Sequence, residues 1–172
     1  MGLLIRYTIW DFCMIIKEIL RNPYNAKEKD DKSFTCIVIT KEKFPRVLAM
    51  RIRDFEKRFA KKDTLVVYGP FASLSQLREA LKIIRRMFPY RDTCEEGSSK
   101  PCFNAQLKLC PGVCVGKITE EEYKKNIANI RKLFEGKKTE IKISLEKDMK
   151  AYAKGQKFEK AAAVRNTLFA LD

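Results

Sequence analysis

Histidine is missing from the 172 residues altogether. Its absence excludes imidazole acid–base catalysis, Ser–His and Cys–His nucleophile pairs, and imidazole metal ligands in one step. A membrane-length apolar run is missing too: Arg6, Asp11 and Lys17 interrupt the most apolar segment, residues 3–20. No secretory leader opens the chain, so a reducing, cytoplasmic setting is expected and disulfides are disfavoured. Acidic residues are in short supply, 22 against 36 Lys plus Arg, for a net charge of +14 and a pI near 9.6. Such an excess favours polyanions such as DNA or RNA, or an acidic partner surface. At 45% apolar the composition is that of a folded protein, long enough for one modest core or two small ones.

Cysteine, by contrast, is concentrated. Four of the six cysteines fall within 21 residues, as Cys94-x7-Cys102-x7-Cys110-x3-Cys114. Pro101, Pro111, Gly112 and Gly116 keep the backbone between them out of long regular elements. A loop of this kind can bring four sulfurs to one point. Spacing alone leaves several ligations open. Structural zinc takes four thiolates, usually from close C-x2–4-C pairs, which only the last gap resembles. An iron–sulfur cluster takes four thiolates at wider spacings; disulfides and free thiols complete the alternatives. Cys13 and Cys36 stand among apolar neighbours and read as small core residues.

Periodicity lays out an α+β chain. Ile9, Phe12, Cys13, Ile16, Ile19 and Leu20 form a helical stripe over residues 7–20, ended by Asn22-Pro23. Strands are expected at Phe34–Thr40, Arg46–Ile52 and Val66–Tyr68, with a turn at Phe44-Pro45 and a stop at Gly69-Pro70. They make a small three-stranded sheet. Leu74, Leu77, Leu81, Ile84 and Phe88 mark an amphipathic helix whose other face shows Arg78, Lys82, Arg85 and Arg86. Residues 41–62 hold nine basic and three acidic side chains. Lys43, Arg46, Arg51, Arg53, Arg78 and Arg85 are the candidate DNA contacts, with a merely solvated surface as the alternative.

Beyond the cysteines, Thr119-Glu-Glu-Glu122 reads as a capping box. It opens a helix that buries Tyr123, Ile127, Ile130 and Phe134, and Gly136 fits its C′ position. Leu145, Met149 and Tyr152 line one further helix, Gly155-Gln156-Lys157 turns the chain, and Phe158, Ala161, Ala162, Arg165, Leu168 and Leu171 line another. A hairpin this short needs a further surface, either the rest of the chain or a partner with which it completes a four-helix bundle. The expected divisions are an α/β region at 1–93, a cysteine segment at 94–118, a connecting helix at 119–138 and the helical hairpin at 139–172.

The run Lys100-Pro101-Cys102, Asn104, Cys110-Pro111-Gly112, Cys114 and Gly116, followed by Glu120-Glu121-Glu122-Tyr123, resembles the cysteine-bearing segment of the UvrC family, incision subunits of the bacterial UvrABC excinuclease. Upstream, Tyr24-Asn25, Lys43-Phe44-Pro45-Arg46-Val47, Tyr68-Gly69-Pro70-Phe71 and Phe88-Pro89-Tyr90-Arg91 are similar to family strings in the same order. Downstream, Leu145-x3-Met149, Phe158-Glu159-x-Ala161-Ala162, Arg165 and Leu168 resemble the UVR motif. The resemblance implies a [4Fe–4S] cluster on Cys94, Cys102, Cys110 and Cys114, with zinc as the alternative. It implies DNA as the polyanion and the end of UvrB as a protein partner. UvrB would be met through Leu145, Met149, Phe158, Glu159, Ala162, Arg165 and Leu168. Neither a membrane nor a small-molecule substrate is implied.

The departures from the family matter as much. Residues 1–93 resemble only the end of a GIY-YIG nuclease module: neither naming string occurs before Asp30, where Gly2 is the single glycine. In an ungapped register Cys13 stands where the family's metal-binding glutamate is expected, and Glu18 substitutes only with a gap. Asn25 matches an active-site asparagine. The family's RNase H-type nuclease and helix-hairpin-helix units have no counterpart up to Asp172. The expected role is recruitment in nucleotide excision repair with no catalytic residue assigned. The competing reading is a non-catalytic UVR adaptor with cysteine-bound zinc.

Overall fold

The computed structural model describes residues 34–171. The helix expected over 7–20, and the positions Cys13, Glu18, Tyr24 and Asn25, lie outside the described residues.

Three antiparallel strands, β1 (Thr35–Thr40), β2 (Val47–Arg51) and β3 (Thr64–Phe71), form a sheet in the order β2-β1-β3. The β-branched run of β1 takes the centre and is buried along its whole length. Ile37 and Ile39 point to one face, beside Val47 on β2 and Val66 and Tyr68 on β3. Helix α2 (Leu74–Met87) contributes Leu77, Leu81, Ile84 and Met87 to the core on that face, and α4 (Glu120–Phe134) adds Tyr123, Ile127, Ile130 and Phe134. Phe44 meets Tyr123 edge-on at 5.4 Å, and Tyr68 lies 5.1 Å from Phe134.

Local chemistry sets the helix ends. The Ser73 hydroxyl accepts from the Gln76 N–H at the start of α2, and the Thr119 hydroxyl accepts from the Glu122 N–H at the start of α4. The Glu122 carboxylate reaches outward to Lys160 at 2.7 Å. Gly136 ends α4 with a left-handed φ of 73°, as its C′ position requires.

Several boundaries differ from the expected ones. The second strand stops at Arg51, and Ile52–Arg58 forms a short helix, α1, with Phe55 and Phe59 stacked at 6.2 Å. The third strand runs through Gly69-Pro70 to Phe71. As an edge strand with register shifts against β1 it tolerates a proline that a central strand would not. Within the cysteine loop, Phe103–Gln106 makes one helical turn, α3.

The hairpin forms as expected, from α5 (Lys138–Lys154) and α6 (Phe158–Leu171). The left-handed turn residue is Gln156, with φ 57°, rather than Gly155. The hairpin docks on its own chain: Ile141, Leu145 and Leu171 are buried in the common core, with Val164 and Leu168 against it. Lys125–Asp148 at 3.4 Å and Lys132–Glu140 at 3.4 Å add exposed ties between α4 and α5, each worth little alone.

The Tyr123 hydroxyl is fully enclosed. It donates to the Pro45 carbonyl at 2.5 Å and accepts from the Arg91 N–H at 3.0 Å. Tyr123→Phe removes the hydroxyl that satisfies both of those backbone groups in the buried interior. It should cost about 1–3 kcal/mol in urea unfolding; an unchanged midpoint would show that this tie is dispensable.

Candidate metal centre

The chain enters the cysteine loop as an arm fastened to the sheet. Arg46 and Arg91 form a short parallel bridge, and the Val47 N–H donates to the Arg91 carbonyl at 3.2 Å. Cys94 follows three residues later. The loop then passes through Cys102, at the start of α3, and returns to Cys110. It closes on a 3-10 turn, Val113–Val115, that contains Cys114. Gly112 and Gly116 flank this turn with left-handed φ values of 85° and 67°. At Gly112 a Cβ would stand 2.9 Å from the Lys117 side chain, so the close return demands glycine.

The loop brings the sulfurs together. The Sγ atoms of Cys94, Cys102 and Cys110 lie within 4.8 Å of one another, and Cys94 and Cys110 are 3.9 Å apart. Among the described residues this trio is the one grouping of candidate ligand side chains with metal-site spacing. Cys114, the fourth expected ligand, stands outside that trio; it is buried, borders the same cleft, and its sulfur accepts from the Cys102 N–H at 3.4 Å. An open cleft of about 480 Å³ is bordered by Cys94, Cys102 and Cys114 together with Glu95, Glu96, Gly97 and Ser98.

All five described cysteines are free thiols. A disulfide needs sulfurs about 2.05 Å apart, and the Cys94–Cys110 pair stands at 3.9 Å. Cys36 is buried in β1, as its apolar neighbours suggest. Burial, then the neighbouring Cys110 and Cys102 thiols, push the Cys94 pKa well above its ordinary value. A bound cation relieves that crowding by neutralising thiolate charge.

The donor set fits a thiophilic group on two counts. A single tetrahedral ion about 2.3 Å from each thiolate holds the sulfurs roughly 3.8 Å apart, close to the 3.9 Å between Cys94 and Cys110. A four-iron cluster places metal atoms between its thiolates and spreads them wider; the cleft beside three of the sulfurs offers room for that. Three thiols within 4.8 Å of one another, with Cys114 on the same cleft, suit either group.

Two arginines, Arg91 buried and Arg85 nearly so, support the loop, and the sequence reading gave neither this role. Arg91, with its side chain 3% exposed, pairs with Glu42 from the β1–β2 turn and with Glu96 at 3.2 Å. Arg85 turns inward from α2 to Asp92 at 2.8 Å and to the carbonyls of Leu109 and Tyr90. Burial works against the Asp92 charge, but the Arg85 guanidinium and the Thr93 N–H hold its carboxyl down to about 2. Burial pushes the Tyr90 hydroxyl up to about 12. The one available signal was position, since Asp92 and Asn104 each sit two residues from a cysteine.

The other candidate residues distribute as follows. Lys43, Arg51, Arg53 and Arg78 are exposed, and Arg46 is half-exposed beside Glu42 at 3.2 Å. Lys43 and Arg46 sit before β2, Arg51 ends it and Arg53 follows in α1, so roughly 15 Å of strand separates the two pairs. Arg85 is not on this surface. On the hairpin, Leu145 is buried against the core and not offered outward, because α5 turns that face inward. Met149 and Leu168 are half-buried. Phe158, Arg165 and Phe169 lie at helical spacing on the outer side of α6, with Phe158 66% and Phe169 64% exposed, and Ala162 between them is half-buried. Glu159 is exposed beside them. Phe169 was missed from sequence, although its interval from Phe158 places it on the same face.

No described helix is long and apolar enough to cross a membrane. Comparison with known proteins gives a consistent result. The description of the UvrC/Cho excinuclease middle domain matches residues 34–133, and that of the UvrB/uvrC motif matches residues 138–172. The UvrABC system protein C of Clostridium kluyveri is 36% identical over 93% of this chain and 25% of its own length. That of Methanothermobacter thermautotrophicus is 36% identical over 86% of this chain and 24% of its own length. That of Moorella thermoacetica is 37% identical over 92% of this chain and 25% of its own length. This chain therefore spans about a quarter of the length of these relatives. No solved structure matches it. With its cysteine loop inside the matched middle domain and its hairpin inside the matched motif, the chain belongs to the UvrC excinuclease family.

Proposed function

We propose that this chain serves nucleotide excision repair in the cytoplasm as the cysteine-centre and docking portion of a UvrC-type protein. In this reading it holds DNA and UvrB and does not itself cut the phosphodiester bond. The observation that carries it is the convergence of Cys94, Cys102 and Cys110 within 4.8 Å, in a chain of this family. Cleavage assisted by a divalent cation needs clustered carboxylates. Near the cysteines, Glu42 and Glu96 are bound to Arg91 and Asp92 to Arg85.

The four thiolates are proposed to hold a [4Fe–4S] cluster, which family resemblance favours and the open cleft accommodates. The group would supply a rigid, charged cross-link between the arm at Cys94 and the turn at Cys114. The second reading, a single zinc ion as in a UVR adaptor, is favoured by the 3.9 Å sulfur separation. Anaerobic purification followed by metal analysis and absorption spectroscopy separates the two. A band near 400 nm that bleaches on reduction, with iron bound and Cys102→Ser abolishing both, is the expected outcome. Stoichiometric zinc in a colourless protein would favour the adaptor.

UvrB is proposed to dock on the outer stripe of α6, where Phe158 and Phe169 stand beside Arg165 and Glu159. Phe158→Ala should weaken UvrB binding by about 2 kcal/mol or more, as for an aromatic anchor, and calorimetry showing unchanged affinity would remove the assignment. DNA is proposed to meet the exposed cations Lys43, Arg51, Arg53 and Arg78, together with half-exposed Arg46. Its affinity should fall steeply as salt rises from about 50 to 200 mM in fluorescence anisotropy; a flat salt response would rule this surface out.

A further inference from the structure

The charged residues behind the cysteines carry an assignment that family membership does not supply. Arg85 leaves the last turn of α2 with a side chain only 13% exposed, and its guanidinium reaches into the loop at three points. Its Nε donates to the Leu109 carbonyl at 2.9 Å, one residue ahead of Cys110. Its Nη1 donates to Asp92 Oδ2 at 2.8 Å, two residues ahead of Cys94. Its Nη2 donates to the Tyr90 carbonyl at 3.1 Å, and the Tyr90 ring lies against the guanidinium at 4.7 Å. Asp92 in turn accepts from Asn104 Nδ2 at 3.2 Å, two residues beyond Cys102. The Asn104 carbonyl closes the circuit, accepting from the Leu109 and Cys110 N–H groups at 2.8 and 3.0 Å.

Each of the three converging sulfurs is thus fastened, within two residues of its Cα, to one guanidinium–carboxylate pair. Fastening of this kind lowers the conformational entropy that a free four-thiol loop loses when its ligands close on a metal. Only a planar fork of donors reaches a carboxylate and two carbonyls in different directions; a lysine ammonium at the same place lacks that geometry. Resting on the metal reading above, we propose that Arg85, acting through Asp92, is the positioning residue that sets the ligand geometry of the cysteine centre for a thiophilic metal. It touches the loop and not the metal.

The test is zinc(II) affinity of the 172-residue chain, measured by competition with a chromophoric chelator, alongside thermal melting in excess chelator. Arg85→Gln and Asp92→Asn should each weaken zinc binding about 10–100-fold, as loss of an outer-shell partner does, and Arg85→Lys should not restore it. Arg86→Gln, one position on and exposed, should bind as the parent does. If Arg85→Gln does not fold, Asp92→Asn decides. Parent-like zinc affinity in folded Arg85→Gln, or in Asp92→Asn, would overturn the proposal. A parent chain that takes up neither zinc nor iron would remove the metal reading itself, and this inference with it.

Discussion

The buried hydroxyl of Tyr123 ties three parts of this molecule that the chain keeps far apart. It belongs to α4, yet its partners are the Pro45 carbonyl in the β1–β2 turn and the Arg91 N–H in the arm that leads to Cys94. Inside a protein a hydrogen bond is stronger than in water, and a group left without one is correspondingly costly. The sheet, the arm and α4 are therefore held in one arrangement. Asn126 adds to the tie by donating to the Pro89 carbonyl at 3.2 Å.

The cysteine loop inherits its position from that arrangement. The loop has little apolar surface of its own to bury; Val113 reaches the core while Phe103 and Leu107 face solvent. What holds it is polar: the Arg85–Asp92 pair on one side and Arg91 with Glu42 and Glu96 on the other. Partly buried ion pairs of this sort add little net stability compared with apolar packing. They do specify direction, because a guanidinium with several acceptors in place allows few alternatives. A metal site needs that directional order more than it needs bulk stability.

The hairpin shows a different balance. α6 is apolar on two sides, one turned to Leu145 and the core through Val164, Leu168 and Leu171, the other left outward through Phe158 and Phe169. Intramolecular docking thus uses one stripe and leaves the second available. A helix with two stripes can serve both its own fold and an external contact without undocking. The interface with the body is also incompletely filled: a cleft of about 350 Å³ between α4, α5 and α6 is bridged by Lys160–Glu122 and Lys125–Asp148.

By itself the amino-acid sequence determined the elements whose cause is local. The β-branched run around Val38, the cap at Thr119, the left-handed C′ at Gly136 and the turn after Lys154 depend on neighbours within a few residues, and they were legible. So was the cysteine spacing, because thiols close in sequence can converge through a glycine- and proline-broken loop. Tertiary structure alone decided what each charged or apolar side chain faces. Arg78 and Arg85 look alike on a helical projection, yet one stays in solvent and the other enters the loop, because Asp92 and two carbonyls arrive there from residues 90–109. Leu145 and Phe158 look equally apolar, yet α4 covers one and leaves the other bare. Propensity and periodicity act along the chain, whereas partners of buried charge and the choice between two apolar stripes are set by segments distant in sequence.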